Sequence, residues 1–222
     1  VTSSIQTPVY TYTNPANQTA NTVYSVSLYV TTLNGCKDSV TIPVTVYALP
    51  TPNFTADSVC LGVATTLSDL SNLNGNPLFI NSWDFNGDNI ADLSNNLPTS
   101  TNIFTNPGNT SVTYSVFSSP NGGLLTCSAK VTKNVWVHAI PAAVITHTNK
   151  CIDAQPNLMS GVNSTLAIGT ITNYAWNYGN GNNKLINPLA PSSFSYNLAG
   201  NYLVTLTGTS AGGCTNGATQ SI

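Results

Sequence analysis

Short runs in which hydrophobic and polar residues alternate recur along the whole chain. Residues 63–67 (Val-Ala-Thr-Thr-Leu) and 44–47 (Val-Thr-Val-Tyr) lie in such runs, which are at most eight residues long. Asn-Gly, Gly-Asn and Pro separate them, and these residues favour turns. A period of two predicts half-buried β-strands, whereas no segment shows a convincing hydrophobic pattern at helical spacing. The pattern therefore predicts an all-β fold.

A longer period of about 90 residues is superimposed on this alternation. Three cysteines lie 91 and 87 residues apart, two others lie 91 apart, and two tryptophans lie 93 apart. In that order they are Cys36, Cys127 and Cys214; Cys60 and Cys151; and Trp83 and Trp176. Agreement among independent landmarks indicates internal repeats, and repeats of this size indicate stacked supersecondary units or domains.

The phase of the repeat places the domain boundaries at two proline-bearing segments, residues 49–52 and 140–143. Proline fixes φ and cannot donate to a ladder, so these segments predict short, stiff linkers. Residues 51–141 then form a complete repeat and residues 142–222 a nearly complete one. Residues 1–50 match only the C-terminal half of a repeat. About seven short strands and a central Trp in roughly 90 residues predict an immunoglobulin-like β-sandwich.

Composition narrows the classes of function. Hydrophobic residues make up 41% of the chain, so it is expected to fold, although only 5% of its residues are charged. Five Lys and Arg and a net charge of −2 offer no basic patch for nucleic acid. No hydrophobic run approaches the roughly 18 residues of a membrane span, so we expect no membrane insertion within these residues.

Several segments resemble the polycystic-kidney-disease (PKD) domain, whose signature is Trp-Asp-Phe-Gly-Asp-Gly followed by Asn-Pro and then by Gly-x-Tyr-x-Val-x-Leu. Residues 176–181 read Trp-Asn-Tyr-Gly-Asn-Gly, residues 187–188 are Asn-Pro, and residues 200–206 read Gly-Asn-Tyr-Leu-Val-Thr-Leu. Residues 83–88 carry the variant Trp-Asp-Phe-Asn-Gly-Asp. The Val-Cys-x-Gly motif at residues 59–62 and the Gly-Cys pairs at residues 35–36 and 213–214 are similar to those in PKD repeats of Bacteroidota gliding-motility adhesins and of type IX-secreted surface proteins.

The resemblance implies tandem immunoglobulin-like (PKD) β-sandwiches arranged as a rod, in a non-catalytic stalk or adhesin at the extracellular bacterial cell surface. Neighbouring repeats of the same parent chain, and surface glycans or proteins, are the implied partners. One alternative is an accessory spacer or carbohydrate-binding region of a secreted hydrolase, which a planar row among Tyr10, Tyr12, Tyr24 and Tyr29 would favour. Another is a filament subunit completed by strand exchange. Neither His138 nor His147 stands in a recognisable catalytic pattern, so we expect no enzyme activity.

Five cysteines require an interpretation. The repeat phase predicts one disulfide within each complete repeat, Cys60 with Cys127 and Cys151 with Cys214, which leaves Cys36 unpaired. Each bridge would stabilise the fold by roughly 3–4 kcal/mol through loop closure in the unfolded chain. The alternative is that these residues are small buried thiols.

One acidic segment is a candidate metal site. Asp84, Asn86, Asp88 and Asp92 place side-chain oxygens at positions 1, 3, 5 and 9 of a loop, as in the first part of a calcium loop. Asn95 occupies the twelfth position, where a calcium loop has a bidentate Glu. The alternative is that these side chains cap a tight turn by accepting backbone N–H groups. No cofactor is required by either interpretation, and Ca²⁺ is the one candidate.

Overall fold

The computed structural model describes residues 2–13, 19–120, 122, 125–148, 151, 157–161, 164–186 and 192–222. These residues contain β-strands and turns and no helix, which confirms the all-β prediction. Within the same residues, no helix is long and apolar enough to cross a membrane. The strands are β1 Thr22–Thr31, β2 Lys37–Val46, β3 Phe54–Ala56, β4 Val59–Cys60, β5 Thr65–Asp69, β6 Leu78–Asp84, β7 Leu93–Asn95, β8 Thr99–Asn102, β9 Gly108–Ser118, β10 Cys127–His138, β11 Thr146–His147, β12 Asn157–Ser160, β13 Ile171–Asn177, β14 Asn183–Ile186, β15 Ser192–Phe194, β16 Leu203–Ser210 and β17 Thr215–Ser221.

The strands form sheets of two to five members. One sheet has the order β4-β10-β9-β6-β7, and another has the order β3-β5-β8. Later in the chain, β14-β13-β16-β17 form one sheet and β11-β12-β15 form another. Most recorded pairs are antiparallel, but β4 runs parallel to the end of β10. Paired sheets of this kind give an immunoglobulin-like sandwich.

The chain divides into two compact units. One contains residues 1–55, 67–100 and 111–133, and the other contains residues 56–66, 101–110 and 134–222. Each unit is assembled from separate stretches of the chain, so this division does not test the repeat boundaries at 50/51 and 141/142. Those boundaries remain a prediction.

The core of the first unit is built around Trp83. The Phe54 ring, on the three-stranded sheet, packs edge-on against Trp83, on the five-stranded sheet, with ring centroids 5.2 Å apart. Tyr114 of β9 stacks on Trp83 at 4.0 Å. All three side chains are buried because alternate residues of β3, β6 and β9 point into the space between the sheets. The prediction that Trp83 is a core residue is confirmed.

The core of the second unit repeats this arrangement around Trp176. Met159 of β12 lies in one cluster with Trp176 of β13 and with Val204 and Leu206 of β16. Val204 and Leu206 are the Val and Leu of the Gly-x-Tyr-x-Val-x-Leu motif, and their period of two directs both into the core. Trp176 is 3% exposed, so the prediction that it is a core residue is also confirmed.

Residues 22–46 form a two-stranded hairpin of β1 and β2. Its register runs without a break from Thr22 opposite Val46 to Thr31 opposite Lys37. One face carries Leu28 opposite Val40, and Val26 opposite Ile42. Leu28, Val40 and Ile42 are all more than half exposed, whereas Leu206 in the second unit is fully buried. The alternation that predicts a half-buried face is therefore present here, but Leu28, Val40 and Ile42 remain exposed on it among the described residues.

Two buried tyrosines make the stability of the fold sensitive to alkaline pH. Burial raises the pKa of Tyr196 to about 12, and the nearby Tyr202 and Tyr178 hydroxyls add to the shift. Burial also raises the pKa of Tyr114 in the first unit, and the Asp69 carboxylate adds to it. The Tyr196 hydroxyl donates to the Tyr178 carbonyl at 2.9 Å, so the folded protein favours the protonated phenol.

We expect the free energy of unfolding to fall as the pH rises from about 10 to about 12. The folded state keeps the Tyr196 proton where the unfolded state, with a pKa near 10, has lost it, so the contribution is complete below pH ~10 and is lost as the pH rises. One such group gives up to about 1.4 kcal/mol per pH unit. The unfolding free energy, measured by urea unfolding at several pH values in this range, should fall less steeply with pH for Tyr196→Phe than for the unaltered chain. Tyr29→Phe, at an exposed position, should keep the original slope, and equal slopes in all three proteins would contradict the prediction.

Candidate functional site

Hydrogen bonds, strand pairing and a disulfide meet around His138. We call this set of contacts the His138 junction and define it as Ser58, Cys60, Trp136, His138, Gly212 and Cys214. Its backbone frame is the parallel pairing of β4 with the end of β10, in which His138 lies opposite Cys60. The Leu61 N–H donates to the His138 carbonyl at 2.8 Å and extends this pairing by one bond.

A disulfide closes the junction. Cys60 of β4 is bonded to Cys214, which ends the turn between β16 and β17, and the two Cα atoms lie 5.7 Å apart. Gly212 in the same turn lies against the His138 imidazole so closely that a Cβ there would overlap the ring. Asn216 lies on the following strand, β17, and its side-chain amide donates to the Pro141 carbonyl at 3.0 Å. The turn is therefore fixed to β4 and to the residues that follow β10 by a covalent bond, close packing and a hydrogen bond.

This bond corrects the predicted disulfides. The pairs in the structure are not Cys60 with Cys127 and Cys151 with Cys214, because Cys60 is bonded to Cys214 itself. Cys36 and Cys151 are exposed thiols, and Cys127 is a partly exposed thiol. The repeat phase places a cysteine at a given position of a repeat, but it does not determine which strand ends lie side by side. The sequence signal is the same for a partner in one repeat and for a partner in the next.

The hydrogen bonds of His138 fix its tautomer. The Trp136 indole N–H donates to His138 Nδ1 at 3.1 Å, and an indole nitrogen can only donate, so Nδ1 carries no proton. Nε2 therefore carries the proton in the neutral ring and donates to Ser58 Oγ at 3.0 Å. Ser58 in turn donates to the Trp136 carbonyl at 3.0 Å. The ring is held in a closed circuit with β4 and β10.

Ser58 and His138 make a Ser–His contact, which raises the question of nucleophilic catalysis. A general base must accept the serine proton at Nε2, with Nδ1–H held by a carboxylate. Here Nε2 donates to the serine, and Nδ1 faces an indole N–H instead of a carboxylate. The pair is arranged to hold the strands together and not to activate Ser58.

A shallow groove of about 240 Å³ lies beside the junction. It is lined by Trp136 and His138 on one side and by Leu166, Ile168 and Gly212 on the other. Trp136 is 41% exposed at its edge.

The acidic segment of residues 84–92 forms a turn closed by its own backbone. Asp84 Oδ1 accepts from the N–H groups of Asn86 at 3.2 Å and Gly87 at 2.7 Å, and Asp84 Oδ2 accepts from Asn89 at 2.9 Å. Asp92 Oδ2 accepts from the Phe85 N–H at 2.6 Å.

The other two predicted calcium ligands are also hydrogen-bonded. Asp88 Oδ1 accepts from the Ile90 N–H at 2.7 Å, and Asn86 Oδ1 accepts from the Asp88 N–H at 2.9 Å. The described residues contain no group of three or more His, Cys, Asp or Glu side chains arranged to hold a metal ion. These oxygens are directed at backbone N–H donors of their own turn, and the calcium site remains a prediction. The geometry favours the alternative interpretation, in which the side chains cap a turn.

We expect Asp84→Ala to destabilise the first unit by about 2–3 kcal/mol. Three backbone N–H groups would lose the buried Asp84 carboxylate, which is their charged acceptor. Asp84→Asn should cost less, since Asn177 Oδ1 accepts the Gly179 N–H at 2.9 Å in the corresponding turn. Thermal unfolding of the three proteins measures these changes. For the unaltered chain, the unfolding midpoint with Ca²⁺ should equal the midpoint with a chelator. A rise with Ca²⁺ that Asp84→Asn abolishes would contradict this and establish a calcium site.

Comparison with known proteins bears on residues 138–222, which match a family model described as a PKD domain. No curated protein matches the chain. Among solved structures, the chain is similar to the fibronectin(III)-like modules of Clostridium thermocellum CbhA. That likeness has a TM-score of 0.37 and 12% identity, and it covers 76% of this chain and 91% of the other. It is too distant to support any inference.

Within the matched residues, the PKD-like motifs have structural counterparts. Residues 176–181 run from the buried Trp176 into a turn with positive φ at Gly179 and Gly181. Asn187 and Pro188 lie outside the described residues. The family match and the sandwich around Trp176 together support an immunoglobulin-like PKD domain over residues 138–222.

Proposed function

We propose that this chain is a non-catalytic, extracellular structural region of tandem PKD-type repeats in a large bacterial surface protein, serving as a stalk or adhesin. The coarser part, an extracellular β-domain region without catalysis, fits the PKD match at residues 138–222. The proposal extends this to a stalk or adhesin role, to kinship with Bacteroidota surface proteins and to a location at the bacterial cell surface. Neighbouring repeats of the parent chain, and surface glycans or proteins, would be the partners.

The observation that carries the proposal is the His138 junction. Its disulfide joins residues on the two sides of the proline-bearing segment 140–143, and it encloses a sequence separation of 154 residues. Disulfides persist in oxidising compartments, which supports an extracellular location. A covalent bond across a linker resists extension, and resistance to extension is what a stalk requires.

The alternative of a carbohydrate-binding accessory region predicts a planar row of exposed aromatic rings. Tyr10 and Tyr12 instead meet edge to face at an interplanar angle of 78°. Tyr12 and Tyr24 are tilted by 40°. These rings do not make a flat platform for sugar rings, so the geometry favours the structural role.

Pulling on the whole chain from its two ends tests the proposal. Under oxidising conditions the segment between Cys60 and Cys214 should stay closed while the rest extends. A reductant should then release an additional length of about 540 Å, from 154 residues at roughly 3.5 Å each. Release of that length without a reductant would contradict the proposal that the disulfide resists extension. Retention of the chain on insoluble cellulose or chitin would instead favour the accessory region.

A further inference from the structure

The repeat phase divides the cysteines into two sets, which we name after the bonded pair, in which Cys214 lies in a turn and Cys60 lies in strand β4. Cys127 itself begins β10, and Cys151 lies outside the strands. Turn cysteines (Cys36, Cys127 and Cys214) are spaced 91 and 87 residues apart, and strand cysteines (Cys60 and Cys151) are spaced 91 apart. The observed bond joins one cysteine of each kind, Cys60 and Cys214. The two do not belong to the same predicted repeat, because the strand cysteine lies in residues 51–141 and the turn cysteine lies in residues 142–222.

The turn at Cys36 has the same hydrogen bonds as the turn at Cys214. The Thr32 N–H donates to the Cys36 carbonyl at 2.9 Å, and the Ser210 N–H donates to the Cys214 carbonyl at 2.9 Å. The Cys36 N–H donates to the Thr32 hydroxyl at 3.1 Å, and the Cys214 N–H donates to the Ser210 hydroxyl at 3.2 Å. Cys36 is therefore presented by its hairpin as Cys214 is, but it is exposed and has no disulfide partner.

The segments that carry the strand cysteines also correspond. Thr51 lies nine residues before Cys60 and forms an isolated antiparallel bridge with Asn72. Ala142 lies nine residues before Cys151 and forms a similar bridge with Thr165. In both bridges the paired N–H···O distances are 2.8 and 3.0 Å. Cys151 is exposed and is a free thiol. It occupies in residues 142–222 the position that Cys60 occupies in residues 51–141.

We propose that the disulfides of this protein join successive repeats, each strand cysteine being bonded to the turn cysteine of the repeat that follows. Cys151 then takes its partner from a following repeat, and Cys36 and Cys127 take theirs from preceding repeats. This proposal rests on the proposed function, because it requires a tandem array. Each bond forms when two thiols lose two protons and two electrons to a low-molecular-weight disulfide, such as oxidised glutathione, which leaves as two thiols.

An extended chain tests the pairing directly. A second copy of residues 136–222, in which Cys151 is replaced by serine so that the original Cys151 alone remains, is placed after Ile222. This keeps the repeat in phase because Ile222 lies 87 residues after Val135, as Cys214 does after Cys127. After oxidation with glutathione disulfide, peptide mapping should find Cys151 bonded to Cys214 of the appended copy, with near-complete loss of alkylation at Cys151. The bond between Cys60 and the original Cys214 should persist and report that the chain has folded. Cys151→Ser should free the appended Cys214 and leave the original bond intact.

The 222-residue chain provides a second, independent test through Cys60→Ser. If each disulfide joins adjacent repeats, Cys214 in this variant remains a thiol that can be alkylated and forms no disulfide with Cys151. A bond between Cys151 and Cys214, in either experiment and within one repeat, would overturn the proposal, as would a free Cys151 in the folded extended chain. Peptide masses test the disulfide pairing, and the pulling experiment tests the proposed function. Either proposal can therefore be contradicted while the other is supported.

Discussion

Replacing Cys60 with serine is expected to lower the free energy of unfolding by about 3–5 kcal/mol under non-reducing conditions. The bond to Cys214 closes a loop with a sequence separation of 154 residues, and closure of a loop this long removes entropy from the unfolded chain worth about 5 kcal/mol. Guanidinium chloride unfolding, followed by tryptophan fluorescence, measures the change. Trp83 lies in the core of one unit and Trp176 in the core of the other, so the signal reports on the unfolding of both.

The matched control is Cys36→Ser, which removes an exposed cysteine in a similar turn but no disulfide. We expect its unfolding free energy to stay within about 0.5 kcal/mol of the original. Adding a reductant to the unaltered chain should reproduce the effect of Cys60→Ser and should not destabilise that variant further. Equal stability of the Cys60 and Cys36 variants would show that the disulfide does not stabilise the fold.

Gly179→Ala is expected to destabilise the second unit by about 3–4 kcal/mol. Gly179 has a φ of +77°, which costs an L-residue about 1 kcal/mol or more. A Cβ there would also lie 2.6 Å from the Leu203 carbonyl oxygen and 2.8 Å from the Leu203 nitrogen. Because both atoms belong to the backbone of β16, they cannot move without disturbing the sheet, and overpacking of this kind adds about 1–3 kcal/mol.

Gly181→Ala in the same turn separates the two causes. Gly181 has a φ of +88°, but a Cβ there would meet no atom within 4 Å. Its cost should be about 1 kcal/mol, from the backbone conformation alone. Denaturant unfolding of the two variants, followed by the fluorescence of Trp176, gives the comparison. If the two variants lose the same stability, the close approach to Leu203 is not what requires glycine in this motif.

Much of the secondary structure and part of the core could be predicted from the sequence, because they depend on local patterns. The alternation in residues 200–206 directs Val204 and Leu206 to one face, and the structure buries both. Trp83 and Trp176 could be assigned to the core because a large aromatic side chain on a strand of a sandwich is stabilised most by burial between the sheets. In the hairpin of β1 and β2 the same pattern gave the strands correctly but not their burial, since alternation says nothing about whether a second sheet covers the face.

The candidate sites were less predictable. The spacing of Asp84, Asn86, Asp88 and Asp92 is equally compatible with a cation and with a capped turn. Only the positions of the backbone N–H groups show where the oxygens are directed. The circuit of Ser58, Trp136 and His138 carried no sequence signal, because Ser58 and His138 are 80 residues apart and meet only through the parallel pairing of β4 with β10.

The sequence by itself determined the strand periodicity, the two tryptophan cores and the regular spacing of the cysteines. These are properties of a residue and its near neighbours along the chain. Tertiary structure alone decided that Cys60 bonds Cys214 and not Cys127, because a disulfide forms only between cysteines whose Cα atoms come within about 7 Å. That proximity is set by how β4, the end of β10 and the turn after β16 pack together, and a repeat of period 90 contains no information about it.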